Sequence, residues 1–237
     1  YDLALRTASH TNKVYHVERV LYFWRAVPTS GAGGGKPMSL ISNISALQTW
    51  YDENGFSAVV ERRPFGNYAK RIFDKPPMVS IIIPSDSLKN LRILIPTLFA
   101  GTSYNNIELL PVVNSVDAKK LLDEFPYHAK RLRPVCYDDI FNFSAKCNSG
   151  AESAKGEIFC FYNDDALPHN ADWLERLLDL IDLPQVGAVS PLMLYEDGKS
   201  IQYAGMHVLH NFFGFNGPTF FRENFSMLEG LNSVNSH

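Results

Sequence analysis

The chain has 237 residues, of which 46% are hydrophobic and 20% are charged, and its formal net charge at pH 7 is −3. This balance is typical of a soluble globular protein with one large domain or two smaller ones. The net charge argues against a nucleic-acid-binding protein, which normally carries a basic surface. Three cysteines without a CxxC spacing argue against a zinc site or a disulfide framework. No apolar run approaches the roughly 18–20 residues that span a bilayer.

The first part of the chain, residues 1–76, is predicted to form a small α+β region. Apolar residues at three- and four-residue steps predict a helix that Gly55 ends, and β-prone segments follow it. In chain order the predicted elements are a helix over 2–9, a strand over 14–24, a helix over 38–51, and short strands over 56–60 and 68–73.

From residue 77 onward, strands and helices alternate, which predicts an α/β fold with a mostly parallel, doubly wound sheet. Its first strand is a continuous apolar run closed by Pro84, as expected of a buried parallel strand. Pro96 is expected to kink or interrupt the helix that follows. The predicted elements are strands over 79–83, 107–113, 131–137 and 157–162, helices over 87–100, 118–125, 143–155 and 171–181, and a hairpin over 186–194 and 200–208.

Polar residues follow three of the predicted parallel strands at the point where each strand ends. They are Ser85-Asp86, Asn114-Ser115 and Asn163-Asp164-Asp165. Ligands of such sheets bind beyond the carboxyl ends of the strands, so these three stations define the candidate site.

Asp164 and Asp165 carry the strongest chemical signal in the chain. Adjacent carboxylates at a strand end repel each other unless a positive charge lies beside them. Mg²⁺ or Mn²⁺ suits this need, because hard cations take oxygen ligands from one or two carboxylates and from substrate phosphates. The alternative is a turn whose aspartate caps the next helix. Another acidic pair, Asp138-Asp139, precedes a helix and is interpreted as capping or solvated.

A set of short motifs supports a more specific interpretation through its order and spacing. The motifs are VSIIIP at 79–84, FNFSAKCN at 141–148, KGE at 155–157, NDD at 163–165, DWL at 172–174, VGAV at 186–189 and DGKSIQYAG at 197–205. From about Pro77 to Leu209 the chain therefore resembles bacterial family 2 glycosyltransferases of the GT-A, Rossmann-like fold, of the kind found in cell-surface polysaccharide clusters.

The resemblance implies a role for each station of the site. Pro84, Ser85, Asp86 and Asn114 would hold the nucleoside of a nucleotide-diphospho-sugar donor. The helix that begins near Asn142 and carries Lys146 would face the donor phosphates or the sugar. Asp164 would approach the ribose or the metal, and Asp165 would ligate the Mn²⁺ or Mg²⁺ that bridges the diphosphate.

The activity implied is an inverting, metal-dependent sugar transfer to a saccharide or lipid-linked acceptor. The family's general base lies in a downstream acidic motif, so the base is expected beyond His237. Residues 1–76 resemble the tail of a preceding glycosyltransferase module, and 77–237 the donor-binding half of the next, truncated at its C-terminal end. Other modules of a longer chain are therefore expected partners. The resemblance also implies a cytoplasmic location, with peripheral association at the inner face of the membrane.

Two residues depart from the family pattern. Val113 stands where an aspartate usually reads the nucleotide base, and Pro111 lies inside the same strand, where it removes a ladder hydrogen bond. These departures keep an alternative open, in which a non-catalytic module of the same fold binds saccharide or braces a partner domain. A generic doubly wound domain whose aspartate pair is a cap is a third hypothesis.

Overall fold

The computed structural model describes residues 1–15, 17, 19–22, 37–63, 66–184, 186–204, 206–210 and 218–222. The chain divides into two compact units. One comprises Phe73–Leu178, and the other comprises Tyr1–Ile72 together with Asp179–His237. The predicted division into domains 1–76 and 77–237 stays a prediction.

Two helices and three antiparallel strand pairs belong mainly to the unit that contains both termini. The predicted helices, short strands and hairpin turn are confirmed there, with Gly198 in the turn at φ +64°. The bounds are α1 Asp2–His10, α2 Pro37–Glu53, β1 Ala58–Arg63, β2 Gly66–Arg71, β7 Met193–Leu194, β8 Ile201–Tyr203, β9 Met206–His210 and β10 Pro218–Arg222. β1 pairs with β2, β7 with β8, and β9 with β10.

The predicted strand over 14–24 is wrong for the residues that the structure describes. Residues 14, 15, 17 and 19–22 lie in no strand, and 16, 18, 23 and 24 lie outside the described residues. Val14 and Tyr15 are 76% and 89% exposed. β-prone residues form a strand only when a neighbouring strand pairs with them and a core covers one face, and this run has neither in the described chain.

The predicted parallel sheet is confirmed in the unit Phe73–Leu178. Its strand order is β5-β4-β3-β6, and all three pairs are parallel. Ile82 is in register with Leu110 on one side and Phe161 on the other. The bounds are β3 Val79–Pro84, α3 Leu88–Gly101, β4 Ile107–Val113, α4 Ser115–Glu124, β5 Val135–Cys136, α5 Phe143–Ser153, β6 Ile158–Phe161 and α6 Trp173–Ile181, with a 3₁₀ turn at Pro126–His128.

β3 and β4 are buried at every position, which matches their continuous apolar sequences. α3 continues through Pro96 without interruption, and the predicted kink stays a prediction. Its Leu94, Ile95 and Leu98 are fully buried. The apolar contacts of this face therefore outweigh the roughly 3 kcal/mol that an interior proline costs a helix.

Gly150 lets α5 lie directly against the sheet. A Cβ placed on it would be 2.4 Å from Cγ2 of Ile82 and 3.1 Å from Cγ2 of Val112. We therefore expect Gly150→Ala to lower the free energy of unfolding by about 1–3 kcal/mol, because overpacking displaces core side chains. Urea denaturation followed by circular dichroism measures this loss. Gly187→Ala is the control, since no atom lies within 4 Å of its added Cβ. Equal stability of Gly150→Ala and the wild type would contradict this packing.

The backbone nitrogen of Pro111 faces β5, and the hydrogen-bond ladder between β4 and β5 is interrupted. Leu109 and Val113 exchange backbone hydrogen bonds with the segment 131–137, and alternate residues of a strand direct these groups to the same side. The Pro111 nitrogen therefore points toward β5, where only Val135–Cys136 and a bridge at Leu132 pair with β4. The missing N–H leaves the ladder between β4 and β3 intact.

A buried carboxylate joins the strands at the amino edge of the sheet, which is the edge where β3 and β4 begin. Glu108 is 1% exposed and accepts hydrogen bonds from the Ser80 hydroxyl at 2.7 Å, from the Lys155 backbone at 2.7 Å, and from the Arg133 guanidinium. Gly156 donates to the Ser80 hydroxyl at 2.8 Å, and its Cβ would lie 2.6 Å from that oxygen. The KGE motif is thus a structural junction in this chain.

Candidate functional site

The carboxyl ends of β3, β4 and β6 lie at one edge of the sheet, called here the carboxyl edge. β3 ends at Pro84, and the hydroxyl of Ser85 donates a hydrogen bond to Oδ2 of Asp164, which follows β6. Ser85 is 1% exposed, and its N–H donates to the Val112 carbonyl of β4 at 3.2 Å. The structure therefore brings the first and third predicted stations together beside the end of β4.

Asp164 is fixed by two neutral donors. Besides the Ser85 hydroxyl, the side-chain amide of Asn90 donates to Oδ1 at 3.2 Å. Asn90 lies in the first turn of α3, and Ser87 caps that helix by accepting from the Asn90 N–H at 3.2 Å. Asn90 is not among the site residues predicted from the sequence. Its signal was a polar residue one turn into the helix that follows Ser85.

Asp165 is exposed and makes no hydrogen bond or ion pair with any residue in the described part of the chain. The predicted alternative, a cap for the next helix, is wrong. Residues 163–166 form a turn, in which the Ala166 N–H donates to the Asn163 carbonyl at 3.3 Å. The next helix, α6, begins only at Trp173.

The aspartate pair suits a divalent cation whose remaining ligands come from a bound nucleotide-diphospho-sugar. Among the residues that the structure describes, no basic side chain pairs with Asp164 or Asp165. Each oxygen of Asp164 keeps lone pairs beyond the bond it already accepts. The described ranges hold no group of three or more metal-ligating side chains. Two carboxylates completed by phosphate oxygens and water match the way proteins hold Mg²⁺.

Lys146 is buried behind the carboxyl edge. It is 1% exposed, and its ammonium donates to the carbonyls of Ser85 at 2.6 Å and Val112 at 3.2 Å, and to Asp86. The side chain of Asp86 is 56% exposed. Both residues were predicted to bind the donor. The structure places Asp86 on the surface of the site and Lys146 beneath it.

Asn114 and Asn142 both cap helices. Asn114 accepts from the Asp117 N–H at 2.9 Å at the start of α4, and Asn142 accepts from the Ala145 N–H at 3.0 Å at the start of α5. The side-chain amide of Asn114 also donates to the Asp117 carboxylate at 2.9 Å. The predicted contacts of Asn114 and Asn142 with a nucleotide-diphospho-sugar stay predictions. Val113 is 2% exposed, so its side chain offers the site neither a polar group nor a surface.

The capping interpretation of Asp138 is confirmed, although the helix is a different one. Asp138 accepts from the N–H of Ser115 at 2.8 Å and from its hydroxyl, so it caps α4 rather than the helix that follows it in sequence. These hydrogen bonds, first from the hydroxyl and then from the backbone, hold the pKa of Asp138 below its usual value. Both oxygens of Asp138 therefore stabilise the start of α4.

The chain is 33% identical over 217 residues to an uncharacterized protein, y4gI, of Sinorhizobium fredii, which covers 87% of the chain. It is 31% identical over 229 residues to the O-antigen biosynthesis protein RfbC of Myxococcus xanthus, which covers 94% of the chain. The chain spans 24% and 18% of the lengths of these two relatives. No protein-family profile matches the chain.

Two solved structures match part of the chain. The mannosyltransferase PcManGT of Pyrobaculum calidifontis, in complex with GDP-Man and Mn²⁺, is 18% identical with a TM-score of 0.47, over 67% of this chain and 46% of that one. TarS 1–349 of S. aureus, in complex with UDP, is 20% identical with a TM-score of 0.36, over 44% and 32%.

No helix in the described ranges has the length and apolarity to cross a bilayer. The predicted cytoplasmic placement stays a prediction. Over 94% of its length the chain is similar to a protein of O-antigen biosynthesis.

Proposed function

We propose that this chain carries the donor-binding half of an inverting, metal-dependent family 2 glycosyltransferase. The observation that supports the proposal best is the pair Asp164 and Asp165 at the carboxyl edge. One carboxylate is fixed by Ser85 and Asn90, and the other is exposed and has no partner in the described chain. Two neighbouring negative charges with no basic partner favour the binding of a divalent cation.

In this proposal each residue at the edge has a separate task. Asp165 and Asp164 hold the Mn²⁺ or Mg²⁺ beside the diphosphate of the nucleotide sugar, and Ser85 and Asn90 keep Asp164 in its orientation. Asp86 is exposed on the nucleoside side of the site, while Pro84 and Ser85 are buried beneath it. When bound, the cation stabilises negative charge on the leaving diphosphate. The acceptor is a saccharide or a lipid-linked saccharide, and a carboxylate base beyond His237 takes its proton.

The similarity to RfbC supports a role in the assembly of a surface polysaccharide. Since the chain spans 18% of that relative, the activity of the whole protein belongs to the proposal, as do further glycosyltransferase modules as partners. The division of the chain at residue 76 into the tail of one module and the start of another belongs to it as well.

One observation favours a second candidate, a non-catalytic module of the same fold. Val113 is buried and Asn114 is engaged in capping α4, so neither side chain at the end of β4 is free to recognise a base. In that case the carboxyl edge would brace a partner domain or bind saccharide without a nucleotide.

Thermal unfolding of the purified chain with UDP, GDP or dTDP, each with and without Mn²⁺, separates these candidates. A ligand that binds only the folded state stabilises it by about 2.7 kcal/mol at a hundredfold excess over Kd. We expect one nucleotide to raise Tm in the presence of Mn²⁺, and to do so much less without it. If no nucleotide raises Tm under either condition, the donor site is refuted and the non-catalytic module is favoured.

A further inference from the structure

Lys146 has no hydrogen-bond donor left for a ligand. An ammonium group carries three N–H bonds, and that of Lys146 has three acceptors: the Ser85 carbonyl at 2.6 Å, the Val112 carbonyl at 3.2 Å and Oδ1 of Asp86. A direct contact with a donor phosphate would require one of these bonds to break.

Two aromatic rings cover the same ammonium. The ring centroid of Phe141 lies 5.0 Å from Nζ of Lys146, and that of Tyr137 lies 5.7 Å from it. Both distances are within the roughly 6 Å over which a cation is attracted to a ring face. Together with the three acceptors, these rings explain why Lys146 is only 1% exposed.

The acceptors of Lys146 belong to the residues that form the site. Ser85 also orients Asp164, Val112 belongs to the end of β4, and Asp86 is the exposed carboxylate at the end of β3. The ammonium therefore joins the ends of the two central strands and directs one oxygen of Asp86 inward. The other carboxylate oxygen of Asp86 has no partner in the described part of the chain and can accept from N–H or O–H groups of a ligand.

From this arrangement we infer that Lys146 is a positioning residue that acts through Asp86, and that it makes no contact with the donor phosphates. Asp86 then recognises the nucleoside by accepting from its base or ribose, a task for which the buried Val113 has no polar group. This inference rests on the proposed function, because it assigns a role within the same donor site.

Isothermal titration calorimetry with a series of phosphate lengths tests this role. The probes are the nucleoside monophosphate and diphosphate of the base that binds, at saturating Mn²⁺. Removing a residue that contacts the phosphates would weaken the diphosphate more than the monophosphate. Removing a residue that positions Asp86 would weaken both probes equally. We expect Lys146→Met to weaken both by about tenfold, which is the loss of one well-oriented hydrogen bond to a charged group.

A double-mutant cycle tests whether the effect passes through Asp86. Asp86→Asn alone should weaken both probes by a similar factor, and Lys146→Met should add little to it, because residues that act as one unit are not additive. Lys119→Met is the matched control, an exposed lysine on α4 that forms no ion pair in the described ranges. Asp86→Asn replaces a side chain that is 56% exposed, so it remains informative if Lys146→Met does not fold.

The outcomes distinguish this inference from the proposed function. If the wild type binds no nucleotide, the proposed function fails and the inference fails with it. If the wild type binds but Lys146→Met or Asp86→Asn weakens only the diphosphate, or if their effects add fully, the inference alone is overturned. Equal losses for both probes and a non-additive cycle support it.

Discussion

Replacing Asp165 with alanine is expected to weaken the binding of a nucleoside diphosphate with Mn²⁺ by about a hundredfold or more. Removing a residue that only orients a metal ligand lowers metal affinity by about 10–100-fold. The expected loss is larger for Asp165, because Asp165 is proposed to bind the metal directly. The same substitution should change the free energy of unfolding by less than about 0.5 kcal/mol, since the side chain is exposed and unpaired in the described chain.

Calorimetric titration of Asp165→Ala and of a matched control measures this effect. Asp123→Ala removes an exposed aspartate that forms no ion pair in the described ranges and lies near the C-terminal end of α4, away from the carboxyl edge. The control should bind as the wild type does. If Asp165→Ala keeps both its affinity for the nucleoside diphosphate and the Mn²⁺ dependence of that affinity, Asp165 is not a metal ligand.

The largest expected effect on stability belongs to Glu108 at the amino edge. Glu108→Ala should lower the free energy of unfolding by about 3–5 kcal/mol, as expected when one partner of a buried ion pair is removed. The loss leaves the Ser80 hydroxyl, the Lys155 N–H and the Arg133 guanidinium without their common acceptor. Glu152→Ala, at an exposed position of α5, is the control and should stay within about 0.5 kcal/mol of the wild type.

The stabilisation from Glu108 should also depend on pH. Burial alone would raise the pKa of this carboxyl, but the hydrogen bonds from Ser80, Lys155 and Arg133 outweigh burial and hold the pKa below its usual value. A carboxyl whose pKa is lower in the folded state stabilises the protein above its unfolded pKa, and the stabilisation is lost as pH falls through the folded pKa. Urea titrations at pH 7 and at successively lower pH, below about 4.5, should show the gap between wild type and Glu108→Ala shrinking. A gap that widens toward low pH would contradict this account.

The parts of the fold that the sequence predicts well are those where a local pattern and the tertiary structure agree. β3 and β4 were predicted to within one residue because their apolar runs are buried on both faces. β5 was predicted over 131–137, and only Val135–Cys136 forms a strand. Pro111 lacks the N–H group that would extend the pairing there, so the β-prone pattern was not sufficient.

The candidate site was predictable in its position but not in its bonding. The strand ends located Asp86 and Asp164, because residues that follow parallel strands lie at one edge of a sheet. Asn90 was missed because its role depends on the direction in which α3 leaves β3. Lys146 was predicted to face the donor, and its burial follows from contacts with Phe141 and Val112 that no sequence pattern reveals.

A divalent cation and a nucleoside diphosphate are proposed to bind together at the carboxyl edge. Paramagnetic broadening by Mn²⁺ in the backbone amide NMR spectrum tests it most directly, with the nucleotide that binds present at saturation. We expect strong broadening of residues 85–86 and 163–166 and much weaker broadening around Glu108 at the amino edge. Broadening centred away from the aspartate pair, or no localised broadening with any nucleotide, would contradict it.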